Sequence, residues 1–135
     1  MAEECLFCKI IAGEIPSKAV YEDEDFKAIL DVNPAARGHV IIIPKKHASN
    51  IYELEDEDAA KVFPIAKKIA SALQKTYGCD GVNVLQNNGE AAGQTVFHLH
   101  VHVVPRYYGD DVQIMWEPGD TPDLDKVANE IKKNI

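Results

Sequence analysis

Three histidines recur at every second position of one short segment, residues 98–104, which reads His-Leu-His-Val-His-Val-Val. Successive side chains of a β-strand point to opposite faces, so this spacing predicts that His98, His100 and His102 share one face of a strand. Imidazole near neutral pH can act as a nucleophile, as a general acid or base, or as a metal ligand. The row of histidines therefore predicts a site for catalysis or for metal binding.

Three interpretations of this row differ in their chemistry. A solvated strand face fits poorly, because three of the five histidines of the chain fall at period two. One metal ion bound by all three is disfavoured, since His98 and His102 would lie about 13 Å apart at roughly 3.3 Å per residue, whereas zinc lies about 2 Å from each nitrogen. Nucleophilic attack on phosphorus is favoured, because imidazoles can supply the nucleophile, its orienting group and donors for the developing charge.

The totals of the sequence limit the classes of function. With 135 residues, 46% of them hydrophobic, the chain is expected to form a single domain, residues 1–135, with a substantial core. The formal net charge of −8 comes from 22 acidic and 14 basic residues, which argues against a general nucleic-acid-binding protein. A small phosphorylated ligand remains possible, because a few local donors can hold one phosphate in an acidic protein.

Membrane insertion and secretion are not expected from the sequence. No stretch approaches the roughly 18 to 20 apolar residues that a membrane-spanning helix requires. Residues 1–8 contain two glutamates and no basic segment, and the chain has three cysteines. These features predict a reducing compartment, and we expect a cytoplasmic protein.

Hydrophobic periodicity predicts an α+β fold with mostly adjacent strands. Residues 56–77 carry apolar side chains at helical spacing after an acidic start and before Gly78, which predicts a long helix. A second helix is expected over residues 122–134, entered at Thr121-Pro122, with an apolar stripe that packs down onto the domain. The expected strands are residues 19–23, 26–31, 38–44, 81–87 and 96–104.

A glycine-rich loop between the last two predicted strands is a candidate phosphate site. Gly89 and Gly93 permit positive φ and close backbone approach, so the amides of residues 93–95 could point at a phosphate. Taken alone, Asn87 would be part of a turn, Thr95 an ordinary residue at the edge of a strand, and Asp31 the first residue of a turn that continues through Asn33-Pro34.

The arrangement Cys5-x-x-Cys8 has the spacing of a zinc knuckle and also that of a redox pair. No second Cys-x-x-Cys pair occurs, and Cys79 stands alone. Three cysteines cannot make a tetrahedral all-cysteine site, so histidines are the expected two further ligands if the site is tetrahedral. A pair of reduced cysteines packed in a small core is the alternative.

Several stretches resemble the signatures of the histidine triad (HIT) superfamily. Residues 93–104, which read Gly-Gln-Thr-Val-Phe-His-Leu-His-Val-His-Val-Val, are similar to its His-x-His-x-His-x-x signature. Further similar stretches are residues 5–17, 31–34 and 38–47, and the resemblance extends from residue 5 to about residue 108. It implies a HIT-like, mainly antiparallel five-stranded sheet with a long helix and a C-terminal helix. The core would span residues 5–108, and residues 109–135 would form the tail.

The resemblance also implies a role for each candidate residue. His100 takes the position of the nucleophile, His102 that of a contact to the scissile phosphate, and His39 that of the histidine that supports the triad. Thr95 takes the position of a hydroxyl donor to the phosphate or the leaving group. The implied substrate-binding residues are Asp31 for the ribose, Asn87, Gly93, Gln94, Thr95 and His102. Members with the cysteine pair complete a structural zinc site with the equivalents of His47 and His98. Members without the cysteines manage without the metal, which implies that zinc is not needed for the chemistry.

The implied activity is that of a nucleotidyl hydrolase or transferase acting on the α-phosphate of a purine nucleotide conjugate, through a covalent intermediate on His100. The conjugate would be an adenosine phosphoramidate or a dinucleoside polyphosphate, and the residues leave both branches open. A nucleotide-binding or interaction protein with incidental hydrolysis is the alternative, and a zinc-binding scaffold without nucleotide chemistry is a third. Relatives are homodimers whose two sheets join into one, which implies a homodimer here.

Overall fold

The computed structural model describes residues 4–120 and 123–135, in which a five-stranded antiparallel sheet carries helices on both faces. The helices are α1 (Leu6–Ile11), α2 (Asp56–Tyr77) and α3 (Leu124–Lys132). The strands are β1 (Ala19–Glu22), β2 (Phe26–Leu30), β3 (Val40–Pro44), β4 (Gly81–Leu85) and β5 (Val101–Arg106). The α+β class and the antiparallel five-stranded sheet expected from the sequence are confirmed.

The strands lie in the order β1-β2-β3-β5-β4, so the histidine-bearing strand β5 is inside the sheet. β3 pairs with β5 through Ile41 opposite His102, and β4 pairs with β5 through Leu85 opposite the same histidine. The first four predicted strands are each one or two residues shorter in the structure, with unchanged positions.

The long helix α2 covers one face of the sheet. Its apolar side chains at helical spacing, among them Val62, Ile65 and Ile69, are buried against β3 and β5. The helix ends at Gly78, which adopts φ 63° and ψ 35°, the left-handed conformation that glycine adopts readily. Its bounds coincide with those predicted from the sequence.

The short helix α1 covers part of the opposite face. Phe7 and Ile10 pack on Ile29, Ile41 and Ile43, which point to this side of β2 and β3. The side chain of His102 lies on the same face of the sheet, because residues 41 and 102 are paired in the register. Since α1 has only six residues, it leaves the rest of this face for a cavity.

The strand that carries the histidines begins later than the sequence predicts. The predicted strand spans residues 96–104, whereas β5 spans Val101–Arg106, so only His102 of the three histidines lies in a strand. The prediction that all three share one strand face is therefore wrong.

Strand β5 begins late because of the hydrogen bonding of Pro44, the last residue of the neighbouring strand β3. Pro44 has no N–H to give to the sheet, and its carbonyl oxygen accepts a hydrogen bond from Nε2 of His98 at 2.8 Å. The amide of Leu99 donates to the carbonyl of Ala48 at 2.7 Å, outside the sheet. These bonds turn residues 98 and 99 away from the pairing that an extended strand would make.

The C-terminal helix α3 is present but does not pack as expected. Asp123 caps it by accepting a hydrogen bond from the amide of Lys126 at 3.2 Å, while the predicted entry at Thr121-Pro122 lies outside the described residues. None of the residues of α3 is buried, and Leu124 and Ile131 are exposed. The expected docking of its apolar stripe onto the domain is therefore not seen. Among the described residues, no helix is both long and apolar enough to cross a membrane.

Candidate catalytic centre and the adjoining metal-ligand cluster

A chain of hydrogen bonds orients His39 and His102. The backbone amide of Ala35 lies 2.9 Å from Nδ1 of His39 and can only donate, so this nitrogen must be the unprotonated one. The hydrogen of neutral His39 is then on Nε2, which lies 2.9 Å from Nδ1 of His102 and donates to it. By the same logic, His102 carries its hydrogen on Nε2, where it can donate to a ligand.

His100 is held in the opposite tautomer. Its Nδ1 lies 2.8 Å from the carbonyl oxygen of His98, which can only accept, so Nδ1 carries the hydrogen. The lone pair is then on Nε2, and a nucleophile needs such an available lone pair. Phe7 packs edge-on against the ring at a centroid separation of 4.9 Å, and the ring of His102 lies 4.9 Å away on another side.

Burial keeps these imidazoles neutral. It lowers the pKa of His100 and the pKa of His39 below the ordinary value. The pKa of His102 falls to about 4, first because the ring is buried and then because the neighbouring His100 and His39 would repel its charge. At neutral pH, the site therefore offers one lone pair on His100 and one N–H on His102.

A cavity of about 510 Å³ opens above the histidines on the α1 side of the sheet. His100, His102 and His39 line it together with four of the predicted substrate-binding residues: Asp31, Asn87, Gly93 and Thr95. The structure thus brings together residues that lie up to 71 positions apart in the sequence, from 31 to 102. Further walls come from apolar side chains of α1, β2 and β5, among them Leu6, Ile29 and Val104.

Asp31 begins the turn that the sequence allowed and also lines the cavity. One carboxylate oxygen accepts from the amide of Asn33 at 2.8 Å, as in a turn. The other lies 3.5 Å from Nε2 of His39, so the same carboxylate also faces the histidines.

Gly93 adopts φ 96°, which glycine adopts readily, and a Cβ at position 93 would be in ordinary van der Waals contact with Nδ2 of Asn87 at 3.5 Å. A 3-10 turn, Glu90–Ala92, precedes this glycine. The loop therefore brings both residues to the cavity.

Gln94 does not reach the cavity with its side chain. It is buried, its Oε1 accepts from the amide of Gly89 at 2.8 Å, and its Nε2 donates to the carbonyls of Ser49 and Val96. With both ends of the amide engaged, the side chain of Gln94 holds the loop in shape. The structure gives no support to the predicted contact between this side chain and the substrate.

The four predicted metal ligands Cys5, Cys8, His47 and His98 converge on one point beside the cavity. The two sulfur atoms lie 3.2 and 3.5 Å from Nδ1 of His98, and Nδ1 of His47 lies 3.1 Å from the same nitrogen. Ligands of a tetrahedral zinc ion would be separated by about 3.5 Å between sulfur and nitrogen and about 3.3 Å between nitrogens. Because Nε2 of His98 donates to Pro44, its Nδ1 is free to bind a metal, and the donor set fits zinc.

The alternative of a redox pair is disfavoured by the same surroundings. Burial, followed by the hydrogen bond with Cys5, raises the pKa of Cys8 to about 11. Reactive cysteines have a lowered pKa, because the thiolate is the nucleophile in disulfide exchange. Cys79 is buried and is not part of the cluster.

Asp31, His39 and His102 also lie close enough together to suggest a second metal site. The bond from the amide of Ala35 to Nδ1 of His39 argues against it, since Nε2 of His39 then carries a hydrogen. A metal ion at that nitrogen would require an imidazolate or the loss of the bond to Ala35. This group is better described as a hydrogen-bonded relay.

Several residues of the site were not found from the sequence. Phe7, the amide of Ala35 and the carbonyl of Pro44 orient the imidazoles through contacts that no sequence spacing indicates. Residues 112–114 of the C-terminal tail line the cavity as well. The pair Arg106 and Asp110, four positions apart, was the one signal that could have indicated an ordered turn before this segment.

Comparisons with known proteins agree with this geometry. The family model described as HIT domain matches residues 12–109. A crystal structure of a HIT family member from Bacillus subtilis is similar at a TM-score of 0.91 and 45% identity, over 98% of this chain and 97% of that one.

A Zn-bound histidine triad family protein from Mycobacterium smegmatis is similar at a TM-score of 0.79 and 40% identity, over 88% of this chain and 86% of that one. A protein of Saccharomyces cerevisiae named adenosine 5'-monophosphoramidase is 42% identical over 92% of this chain and 76% of its own length. The match of the family model over most of the chain and these identities lead to one conclusion: the chain belongs to the HIT family.

Proposed function

We propose that the protein hydrolyses a purine nucleotide conjugate at its α-phosphorus, with His100 as the nucleophile. The observation that carries this proposal is the pair of opposite tautomers, which leaves a lone pair on Nε2 of His100 beside an N–H on Nε2 of His102. A lone pair attacks phosphorus, and an adjacent N–H stabilises charge on the phosphate oxygens.

The proposed reaction has two displacements. Nε2 of His100 forms a bond to the α-phosphorus while the bond to the leaving nitrogen breaks, and that nitrogen takes a proton from solvent. Water then attacks the same phosphorus, the bond to His100 breaks, and one proton returns to solvent. The products are an amine and a nucleoside monophosphate, and the lone pair of His100 is restored. Nδ1 of His100 keeps its hydrogen and donates it to the carbonyl oxygen of His98 throughout, so this bond stabilises the cation that forms on the ring of His100.

The charge of the cavity favours a phosphoramidate over a dinucleoside polyphosphate. Among the described residues that line it, there is no lysine or arginine, and Asp31 is acidic. A polyphosphate chain carries several negative charges that would need cations, whereas a phosphoramidate carries a single anionic phosphoryl group. The named activity of the yeast relative supports the same branch. We propose that Asp31, Asn87, Gly93 and Thr95 bind this substrate.

We propose that Cys5, Cys8, His47 and His98 bind one zinc ion in a structural role. The donor distances and the free Nδ1 of His98 support this proposal, and so does the likeness to a Zn-bound protein. When bound, zinc would tie the start of α1 to the segments around residues 47 and 98.

We further propose a single domain, residues 1–135, with its core in residues 5–108, that acts as a homodimer in the cytoplasm. Two observations support the dimer. β4 has a strand partner on one side alone in the part of the sheet that the structure describes. Phe63 on α2 and Tyr52 just before it are 69% and 87% exposed, which leaves apolar area for a second copy. Three free cysteines are consistent with a reducing compartment.

The experiment that tests the proposal compares the wild type with His100→Ala on adenosine 5'-phosphoramidate and on diadenosine polyphosphates. Loss of a nucleophile should reduce turnover by at least about a thousandfold. Brief incubation with substrate, followed by acid-free mass spectrometry, should detect one adenylyl group on a peptide containing residue 100. Equal turnover by the variant would overturn the assignment of His100. Turnover of the polyphosphates alone would overturn the substrate class.

A further inference from the structure

The turn that follows β5 is closed by a dense set of hydrogen bonds from one arginine. Nε of Arg106 donates to Oδ2 of Asp110 at 2.9 Å, and Nη2 donates to Oδ1 at 3.0 Å, so the pair is bidentate. Nη1 donates to Oδ1 of Asn83 on β4 at 2.8 Å, and Nη2 also donates to the carbonyl of Val112 at 2.9 Å. Asp110 in turn accepts from the amides of Tyr107 and Val112.

These bonds fix the direction in which the chain leaves the sheet. Asp110 and Val112 are held on the face that carries Arg106, which is also the face of Val104 and His102, because alternate residues of a strand share a face. The next residues run over this face, and Val112, Gln113 and Ile114 form one wall of the catalytic cavity. Asp110 and Arg106 themselves do not line the cavity.

The position of Arg106 along β5 and the side chains of the wall indicate which part of a ligand the wall meets. Arg106 lies four residues beyond His102, a distance of about 13 Å along a strand at roughly 3.3 Å per residue. The anchor of the wall at Arg106 is therefore remote from His102, and two of the three wall residues, Val112 and Ile114, are apolar and suit a nucleoside better than a phosphate. A ligand whose phosphorus lies at His100 would meet this wall with its nucleoside.

Direct binding of phosphate by Arg106 is the alternative explanation for a cation near the site. Its guanidinium group has five N–H donors, of which four are engaged by Asp110, Asn83 and Val112. The side chain is also neutralised by Asp110, whose pKa is held far below its usual range, chiefly by the hydrogen bond from Arg106. Arg106 is thus committed to the turn.

We propose that Arg106 and Asp110 are positioning residues that hold residues 112–114 as the nucleoside-binding wall and so set the affinity for the nucleotide. This inference rests on the proposed function for the identity of the ligand. We call the ion pair of Arg106 and Asp110 the clamp. The clamp acts on substrate binding and not on the displacement at phosphorus, because it touches neither His100 nor His102.

The test uses the full chain with Asp110→Asn and Arg106→Lys. Asparagine keeps the shape but removes the charge, and lysine keeps the charge but cannot make the bidentate fork. Asp25→Asn is the matched control, since it removes an exposed ion pair with Lys61 away from the cavity. The dissociation constant of adenosine 5'-monophosphate is measured by calorimetry, and KM and kcat are measured with adenosine 5'-phosphoramidate.

We expect both clamp variants to raise the dissociation constant and KM about tenfold while kcat stays within twofold, and the control to change neither. A base-free substrate that also lacks the ribose, methyl phosphoramidate, should be turned over with an unchanged KM, because it has no nucleoside to meet the wall. Unchanged affinity for the monophosphate in both variants would overturn the inference, and so would an equal loss with the base-free substrate. If the wild type binds the monophosphate but hydrolyses no phosphoramidate, the proposed reaction fails while the calorimetric test of the clamp still stands.

Discussion

His39 and His102 come from adjacent parts of the sheet and are joined ring to ring, with Nε2 of His39 2.9 Å from Nδ1 of His102. His39 lies just before β3, and its own Nδ1 accepts from the amide of Ala35. A backbone amide can donate a hydrogen bond but cannot accept one. The amide of Ala35 therefore determines the tautomer of His39 and, through His39, the tautomer of His102.

Replacing His39 should release this control over His102. We expect His39→Leu to lower kcat roughly a hundredfold, the size of a typical general acid–base contribution, with a small change in KM. His39→Gln retains an N–H donor and should lose less. Nitrogen NMR of His102 checks the cause: the leucine variant should show a mixture of tautomers. A single Nε2–H tautomer in that variant would contradict the relay.

The dependence of activity on pH should have one acid limb. Because burial lowers the pKa of His100, the nucleophile is unprotonated at neutral pH and becomes protonated below the ordinary value of about 6.5. We expect kcat/KM to be constant between pH 7 and pH 8 and to fall in acid, with a midpoint below about 6.5. A midpoint above that value, measured with adenosine 5'-phosphoramidate, would contradict the effect of burial.

Conformational stability should also fall in acid, through His102. Its pKa is about 4 in the folded chain and about 6.5 when unfolded. Between these values the unfolded chain binds more protons, so the free energy of unfolding decreases as the pH falls from about 6.5 towards 4. Urea unfolding at several pH values measures this slope. In His102→Gln the slope should be smaller, and an equal slope would assign the effect to other groups.

Removal of a cysteine ligand should remove the metal. We expect about one zinc ion per wild-type chain by elemental analysis and none in Cys8→Ser, with a lower melting temperature in the variant and in chelator-treated wild type. Cys79→Ser is the control, since Cys79 is buried away from the cluster. Undiminished zinc in Cys8→Ser would refute the ligand set.

Gly38 should be more sensitive to substitution than a glycine in open space. It has φ 94°, and an added Cβ would lie 2.8 Å from the ring of Tyr77 and 3.0 Å from Leu73. We expect Gly38→Ala to cost roughly 2–3 kcal/mol in urea unfolding, from backbone strain together with the clash. Gly109 has φ 82° and no neighbour within 4 Å, so Gly109→Ala should cost roughly 1–2 kcal/mol. Equal losses of unfolding free energy in the two variants would show that the ring of Tyr77 moves aside from the added Cβ without an energetic cost.

The parts of the fold that the sequence predicted are those governed by local periodicity. The bounds of α2 follow from its apolar spacing, its acidic first turn and Gly78, all of which are local features. The start of β5 was not predicted, because it depends on a bond between Pro44 and His98, 54 residues apart. The exposure of α3 was not predicted either, since the spacing of its apolar residues does not say whether the domain offers a surface for them to pack against.

The candidate site shows the same division. The spacing of the histidines indicated the candidate reactive residues, and Cys5-x-x-Cys8 indicated half of the candidate metal-ligand cluster. Their partners His47 and His98 lie 39 and 90 residues beyond Cys8 and were indicated by family resemblance. The tautomers that assign different chemistry to His100 and His102 depend on backbone atoms of His98 and Ala35, which no side-chain pattern describes.

His98 uses both ring nitrogens and its carbonyl oxygen for different partners. Anyone who engineers a cysteine-free version of this chain for site-specific dye labelling must therefore treat position 98 separately from Cys5 and Cys8. Replacing the two thiols is expected to remove the proposed zinc ion and to lower the melting temperature. The carbonyl oxygen of residue 98 also accepts from the ring of His100, so labelling variants that keep His98 are the ones expected to keep the orientation of that ring.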